Sequence, residues 1–572
     1  MQITITPYYK DIFNEEVPDL KNLIVDVPTK VLVSYLSYLN SKLYLNSSIE
    51  YQIEILNEML KRQNSETKHQ IKENIKRFIS TNKSNREIVF VSNFHLLSLI
   101  HYSLCSYSEF DIIDTTPAQE LNIFKAYMVI VNQKSNESSE TYIRERETKE
   151  GDFFPKHTWP VLLNQMEATP HYEPISDLIR AMCFFNFLEY HSVYSENVKK
   201  FLTNNGQNST WEYVLSIMNI MSQRWNNEDN NRNASFLFNC DDNTKPLYES
   251  LCLNPITYGL TYKNKVEDHS LMKATPLFKY KGKYVVLDWN YFSNKLYDGL
   301  IFDFFNRSGI KEIKEVNSIP KFKKVIGKDI TEGFTFQKLL TGIFNKKYTV
   351  LQFPINDSNG EPDGFYREGN KIILFEIKDA FFSGSALTSN SYQQIKSEID
   401  KKYNNPKKGS GQLLKQIRKL KESSFENKSY AELSKKPRNF KVYPVIIYTD
   451  IHFGMPGVSN YIIDEFEKQV SLMNLRNSFR HIEKLTFLSL NFFIQNFNCI
   501  KEIGLINIME ILHHELDKRK KKHEFKKEIK YLFDHNNPPE QIIQETIDCG
   551  SKDRMDIKEL AQLLNLTEGL PK

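Results

Sequence analysis

The chain has 572 residues, which corresponds to about two to four domains. Its 75 basic and 71 acidic residues give a net charge of +4, and 40% of the residues are hydrophobic. This ordinary globular balance excludes collagen-like, wholly disordered and disulfide-scaffold proteins, and the overall charge is too small to indicate a nucleic-acid partner.

The six cysteines are widely spaced, and no CxxC pair occurs. A zinc ribbon and a thioredoxin-type redox pair are therefore excluded, and single cysteines are expected to be core thiols of a reducing compartment. The first residues lack the basic-then-apolar pattern of a signal peptide, and no apolar run reaches the ~20 residues needed to cross a bilayer. We therefore expect a cytoplasmic protein that does not enter a membrane.

Residues 1–225 are predicted to form a mainly helical N-terminal domain. Apolar residues recur at helical spacing in residues 31–43 and 175–202, and the sequence Thr116-Pro117-Ala118-Gln119 is a helix start with a capping box. The Asn-rich residues 225–233 predict a linker, so residues 226–270 are taken as a connecting segment. A sensor or specificity role is one expectation for the N-terminal domain, as is docking of a protein partner.

Strand patterns dominate the next part of the chain, so residues 271–497 are predicted to be an α/β domain and residues 498–572 a helical C-terminal region. Residues 276–289 predict two short strands around a Lys-Gly turn. Further strands are predicted at the following segments: 348–355, 364–367, 371–377, 442–448 and 485–490.

The segment 360–380, GEPDGFYREGNKIILFEIKDA, carries the chemistry. A turn containing Gly369 joins two strands, and the second strand ends in Glu376 and Lys378, which point to the same face because side chains alternate along a strand. Folding the hairpin about Gly369 brings Asp363 diagonally close to Glu376. Buried carboxylates need compensation, and Mg²⁺ or Mn²⁺ bound by Asp363, Glu376 and the carbonyl of Ile377 would supply it.

These residues resemble the PD-(D/E)XK nuclease superfamily, which has a restriction-endonuclease-like fold: Pro362-Asp363 is followed thirteen positions later by Glu376-Ile377-Lys378. The resemblance implies an α/β (α+β) nuclease core with a central mixed sheet flanked by helices, and a Mg²⁺-dependent endonuclease activity in which Lys378 assists the attacking water.

The same resemblance assigns further residues to the site. It implies an acid on a helix before the first core strand, and Glu332 within residues 328–344 occupies that place. It also implies a glutamine on a helix after the lysine, for which Gln412 is the better candidate and Gln416 the other. About 30 residues are inserted before that helix. Dimers are common for this fold, and analogy with its members suggests bacterial restriction or anti-phage defence.

Local charge supports a polyanionic partner. Residues 396–441 contain 14 Lys and Arg against 5 Asp and Glu. Clustered basic residues bind phosphates by counterion release without reading sequence, and among nucleic acids we favour DNA over RNA. The run Lys518 to Lys522 is better explained as a charged helix surface.

Two other interpretations stay open. Glu376 and Lys378 could form an ordinary ion pair at the end of a strand, in which case the chain is a non-catalytic nucleic-acid-binding or scaffold subunit of a larger complex. Alternatively, a separate protein docked on the helical half supplies the activity.

Overall fold

The computed structural model describes the chain apart from the following residues: 1–3, 47, 83–86, 109–113, 148–151, 167, 170–172, 226–235, 263–267, 355–359, 423–436, 549–556 and 567–572. The fold is mixed α/β, with a six-stranded sheet flanked by helices. No helix in the described part of the chain is both long and apolar enough to span a membrane.

The N-terminal part is helical, as predicted. Its α-helices are Tyr9–Phe13, Leu20–Ile24, Thr29–Leu45, Ile49–Met59, Ser65–Thr81, Asn93–Cys105, Pro117–Glu147, Phe153–Met166, Pro174–Tyr190, Ser195–Asn204 and Thr210–Trp225. The predicted capping box is present at the start of the long helix: the Gln119 amide donates to Thr116 Oγ1 (3.3 Å), and the Thr116 amide donates to Gln119 Oε1 (2.8 Å).

The middle of the chain carries helices between its strands. The α-helices are Lys245–Ser250, Pro255–Tyr262, Ser270–Ala274, Trp289–Ser293, Asp298–Arg307, Ile319–Val325, Gln337–Ile343, Gly384–Leu387, Tyr392–Tyr403, Ser410–Glu422 and Val458–Leu472. Residues 326–336 form a π-helical segment, Ile326–Phe336, which continues directly into Gln337–Ile343. The first two α-helices of this list lie within the segment predicted to be a linker.

The C-terminal part is helical, again as predicted. Its α-helices are Leu490–Gln495, Phe497–Ile503, Leu505–Lys526, Ile529–His535, Pro539–Thr546 and Ile557–Leu563. The basic run 518–522 lies on the long helix Leu505–Lys526, where Arg519 pairs with Asp534 and Glu545, each at 2.7 Å. Arg519 thus joins this helix to the next two, whereas the four lysines of the run are exposed, as expected for a charged helix surface.

Two small sheets lie outside the central one. Strands β1 (Thr4–Ile5) and β2 (Glu87–Ile88) pair in parallel. Strands β3 (Leu237–Phe238), β4 (Leu277–Tyr280) and β5 (Lys283–Val286) form an antiparallel sheet in the order β3-β5-β4. The last two are the strands predicted around a Lys-Gly turn, and Gly282 has the positive φ (77°) that such a turn requires.

The central sheet contains six strands. They are β6 (Thr349–Gln352), β7 (Gly364–Glu368), β8 (Lys371–Lys378), β9 (Lys441–Tyr448), β10 (His481–Ile482) and β11 (Thr486–Ser489). The order is β6-β7-β8-β9, and both β10 and β11 pair with the far side of β9. Strands β6, β7 and β8 are antiparallel neighbours, whereas β8, β9 and the last two run parallel. The predicted strands are confirmed, and β10 was not foreseen.

Two hydrophobic clusters form the core, and they do not divide the chain at residue 225. The smaller cluster joins the first helices, through residues such as Leu36 and Tyr127, to Tyr258 and Tyr291. The larger cluster joins Phe184 of the helix Pro174–Tyr190 to the central sheet and the C-terminal helices. The last of the predicted N-terminal helices therefore share a core with the sheet.

Cysteine pairing differs in part from the expectation. Cys105, Cys183, Cys240 and Cys252 are free, but Cys499 is disulfide-bonded. The expectation of unpaired core thiols is therefore wrong for Cys499.

Candidate active site

Two carboxylates face each other across the β7–β8 hairpin. Gly364 pairs with Phe375, so the same antiparallel register places Asp363 directly opposite Glu376. The backbone amide of Ile377 donates to Asp363 Oδ2 at 2.8 Å, which fixes the aspartate against β8. The sequence predicted a diagonal contact, and the observed contact is closer because the turn is centred between Gly369 and Asn370.

Glu376 is completely buried and holds two donors. Lys378 Nζ donates to Glu376 Oε1 at 2.5 Å, and Gln416 Nε2 donates to Glu376 Oε2 at 2.9 Å. We call Asp363, Glu376, Lys378 and Gln416 the carboxylate centre. Its members come from the hairpin and from the helix Ser410–Glu422, here called the glutamine helix.

The electrostatics of the centre follow from burial and crowding. Burial raises the pKa of Asp363 well above its ordinary value, and the neighbouring Glu376 carboxylate raises it further against the opposing effect of Lys378. Burial by itself would lower the pKa of Lys378, but Glu376 and Asp363 outweigh it and raise that pKa. The lysine is therefore held as an ammonium ion, while the two acids repel each other.

Glu332 lies at the margin of the carboxylate centre. It is partly buried on the π-helical segment Ile326–Phe336, and its charge raises the pKa of both Asp363 and Lys378. The predicted acid lies on a helix before the first core strand, and Glu332 does so. The helix is π-helical at this residue, however, so its turn is wider than that of the α-helix predicted there.

The two candidate glutamines differ in position. Gln416 is buried, donates to Glu376 and lies 3.4 Å from the carbonyl oxygen of Glu361. Gln412 is partly exposed one turn earlier on the glutamine helix, and no hydrogen bond joins it to Glu376 in the described part of the chain. The structure thus brings Gln416, rather than Gln412, to the carboxylates.

A second buried carboxylate, Asp379, was not singled out from the sequence. It follows Lys378 directly, so strand alternation turns it to the opposite face. Three donors reach it at 2.7 Å: Lys323 Nζ and Thr449 Oγ1 at Oδ1, and Thr331 Oγ1 at Oδ2. We call these four residues the Asp379 network. The alternation was visible in the sequence, but the partners lie 48 to 70 positions away and left no local signal.

Asp379 has the opposite electrostatic character from Asp363. Burial would raise its pKa, but the Lys323 ammonium, the Arg180 guanidinium and the threonine hydroxyl lower it overall. Thr331 belongs to the Asp379 network, and the adjacent Glu332 lies near the carboxylate centre. One turn of the π-helical segment therefore carries residues of both groups.

Two acceptor atoms of the carboxylate centre lack donors within the described part of the chain. Asp363 Oδ1 has no hydrogen bond to a described residue, and Gln416 Oε1 is buried without a partner among them. Both atoms are hydrogen-bond acceptors in the crowded Asp363–Glu376 site. A hard cation with bound water would reduce the repulsion there and supply donors to such acceptors. Within the described ranges no three His, Cys, Asp or Glu side chains are grouped to hold a metal. The predicted ligand set contains only two such side chains, Asp363 and Glu376, together with the carbonyl oxygen of Ile377.

Basic side chains line the outer face of the glutamine helix. Lys415, Arg418 and Lys421 are exposed there, on the side away from the buried Gln416. Arg418 also pairs with Glu422 at 2.7 Å. Residues 423–436, which belong to the predicted basic stretch, lie outside the described residues.

Comparisons with protein-family models, with curated proteins and with solved structures find no match.

Proposed function

We propose that the chain is a metal-dependent endonuclease that hydrolyses phosphodiester bonds of nucleic acid, preferentially DNA. One observation carries the proposal: Asp363 and Glu376 meet directly across the hairpin beside Lys378, at the end of a buried strand. Such crowding of like charges is unfavourable unless a cation offsets it. A role in restriction or anti-phage defence, and a homodimeric form, belong to the same proposal by analogy only.

Asp363, Glu376 and the carbonyl oxygen of Ile377 are the groups that would hold Mg²⁺ or Mn²⁺. When bound, such an ion polarises a phosphate and lowers the pKa of a coordinated water. The protein's own contribution is to place both carboxylates on one edge of the sheet before the ion arrives. The amide of Ile377 and the side chain of Gln416 hold the two acids in place.

Lys378 acts as a cation in this proposal. Because the neighbouring carboxylates raise its pKa, it cannot accept a proton from water. It can donate a hydrogen bond to the attacking water or to a phosphate oxygen that gains negative charge. Gln416 is a positioning residue, since it touches Glu376 rather than a reacting atom.

The outer face of the glutamine helix would contact the nucleic-acid backbone. Lys415, Arg418 and Lys421 are exposed on the helix that also carries Gln416. Contacts of this kind carry no sequence information and weaken as salt rises. Substrate preference would therefore depend on other parts of the chain.

The test is cleavage of plasmid, linear and single-stranded DNA and of RNA, in Mg²⁺, Mn²⁺ or EDTA. We expect metal-dependent cutting that falls by about 10²–10³-fold or more in Lys378→Ala and Asp363→Ala. Lys371→Ala is the matched control, because Lys371 lies at the other end of β8 and pairs with Glu510 at 3.0 Å. Equal cutting by the wild type and both site variants would refute the site.

A second candidate function is a non-catalytic nucleic-acid-binding or scaffold subunit. The observation that favours it is that both oxygens of Glu376 already accept hydrogen bonds, from Lys378 and Gln416. In that case DNA affinity would depend on salt but not on chelator or on Glu376→Gln. Calorimetric Mg²⁺ binding that is lost in Glu376→Gln favours the nuclease.

Activity that appears only with a co-purifying protein would favour a partner docked on the helical half.

A further inference from the structure

The helix Leu505–Lys526 ends in a surface on which basic residues far outnumber acidic ones. Residues 518–530 cover the last turns of this helix and the start of the next one, Ile529–His535, and we call them the basic tip. They contain eight Lys and Arg against two Glu. Surfaces of soluble proteins normally mix both signs of charge, so an excess of this size points to a function.

Most of these lysines are not neutralised by the protein. Only three of the eight basic side chains pair with a carboxylate of a described residue: Lys518, Arg519 and Lys530. The other five are exposed and have neither an ion pair nor a side-chain hydrogen bond with a described residue: Lys520, Lys521, Lys522, Lys526 and Lys527. Two acids offset part of this charge, Glu524 within the tip and Asp464 near Lys520. A positive excess is left, and it favours a polyanionic partner.

Contacts on the inner side hold the tip in shape. Arg519 donates to the Asp534 carboxylate at 2.7 Å and to the Asp534 carbonyl oxygen at 3.3 Å, which ties the two helices together. The ammonium groups of Lys522 and Lys530, one from each helix, lie 4.5 and 4.8 Å from the centre of the Tyr531 ring. The basic side chains are therefore gathered before a partner arrives, which lowers the entropic cost of binding.

An aromatic side chain protrudes between the unpaired lysines. Phe525 is 82% exposed, and the ammonium of Lys526 lies 5.6 Å from the centre of its ring. Ile529, which is 55% exposed, is the other large apolar side chain that the tip presents. Proteins that bind single-stranded nucleic acid combine basic side chains on the phosphates with aromatic rings on which bases stack.

An anionic lipid surface would also attract lysines, but the tip lacks the apolar face that membrane binding uses. A helix that lies in the membrane interface buries a continuous apolar stripe in the lipid. The apolar stripe of Leu505–Lys526 is instead buried within the protein, at residues such as Leu512 and Leu516. Two exposed apolar side chains do not form such a stripe, so the tip fits a nucleic acid better than a membrane.

We propose that the basic tip binds single-stranded nucleic acid, with its lysines on the phosphate backbone and an unpaired base stacked on Phe525. From Lys518 to Lys526 the helix rises about 12 Å, which is long enough to contact several successive phosphates. The tip contributes no residue to the carboxylate centre, so this contact is additional to the proposed cleavage site. The choice of nucleic acid among polyanions rests on the proposed function, whereas the charge excess and the exposed ring do not.

The test is fluorescence anisotropy of the full chain with a labelled thymidine oligonucleotide of about 20 nucleotides and with a duplex of the same length, in EDTA to prevent cleavage. The tip variant carries K521Q, K522Q and K526Q. The control variant loses the same charge from exposed lysines elsewhere, through K61Q, K72Q and K283Q.

We expect the tip variant to raise the Kd for the single strand about tenfold or more and to lower the slope of log Kd against log salt by about 2, because three phosphate contacts are lost. The control variant should change neither quantity. Phe525→Ala should weaken binding of the single strand about fivefold or more and leave binding of the duplex unchanged, because only an unpaired base can stack on the ring.

Four results would overturn the proposal: no binding of the single strand by the wild type, equal binding by the tip variant, an equal loss in the control variant, or no loss in Phe525→Ala. Vesicles of phosphatidylserine and phosphatidylcholine test the alternative partner. Vesicle binding that depends on the tip, without DNA binding that depends on it, would assign the surface to lipid. A chain that cuts nothing but binds through the tip would count against the nuclease alone. Cleavage together with unchanged binding by the tip variant would count against the tip alone.

Discussion

Two aspartates at the same end of β8 have opposite surroundings. Asp379 receives three side-chain donors at 2.7 Å, including the Lys323 ammonium, and its pKa is lowered. Asp363 receives one backbone amide and faces another carboxylate, and its pKa is raised. Burial is common to both, so the partners decide the outcome. The comparison therefore indicates that Asp379 stabilises the fold. The charge of Asp363 is less well compensated, which is why we propose a bound cation beside it.

The largest effect is expected from Asp379→Ala. Lys323 would lose its partner while it remains about nine-tenths buried, and breaking a buried pair in this way costs about 3–5 kcal/mol. Urea denaturation followed by circular dichroism measures the loss. Lys371→Ala, which breaks the half-exposed pair with Glu510, should cost about 1 kcal/mol or less. Equal costs for the two variants would contradict the structural role of Asp379.

The next effect separates the two glutamines. Gln416→Ala leaves Glu376 Oε2 buried without its donor, which should lower the free energy of unfolding by about 1–3 kcal/mol. Gln412→Ala removes a partly exposed side chain on the same helix and should change it by less than about 0.5 kcal/mol. If the nuclease proposal holds, the cleavage rate should fall only in the first variant. A larger loss in Gln412→Ala would reverse the assignment.

Asp363→Asn should stabilise the protein in EDTA by about 1 kcal/mol, because it removes a carboxylate that is crowded by Glu376. In the proposed function this carboxylate binds the metal and does not stabilise the fold. Mg²⁺ should then raise the melting temperature of the wild type but not of the variant, since binding to the folded state alone stabilises it. Scanning calorimetry with and without the ion measures both. A variant less stable than the wild type in EDTA would show that Asp363 is already compensated.

The smallest effect is a difference in pH dependence, measured in EDTA. Folded Asp363 keeps its proton to a higher pH than the unfolded chain, so its contribution to the stability of the wild type falls as pH rises above the ordinary value of 3.8. The advantage of Asp363→Asn should therefore grow as pH rises above the ordinary value of 3.8. Asp379 behaves oppositely: its contribution is present above 3.8 and is lost as pH falls through its lowered pKa. Denaturation curves of Asp379→Asn should thus approach those of the wild type only in acid.

The strands around the site could be predicted from the sequence, because each is marked by a short local pattern of residues. The apolar run 372–375, the Gly369 turn and the run 442–448 give β7, β8 and β9 directly, and these place Asp363, Glu376 and Lys378. The choice between Gln412 and Gln416 was not accessible, because it depends on how the glutamine helix is rotated against the sheet. The π-helical turn and the distant partners of Asp379 likewise depend on tertiary packing.

The hairpin that joins Asp363 to Glu376 also bears on the order in which the chain folds. It closes a loop of 13 positions, whereas the pairing of Glu376 with Ile446 in β9 closes one of 70. Loop-closure entropy makes the longer closure about 1.5 kcal/mol more costly, so the hairpin is the earlier contact. At that stage the two acids still face water, where charges a few ångströms apart repel by only about 1 kcal/mol. The repulsion becomes large only when β9 and the glutamine helix cover them, after the hairpin has closed.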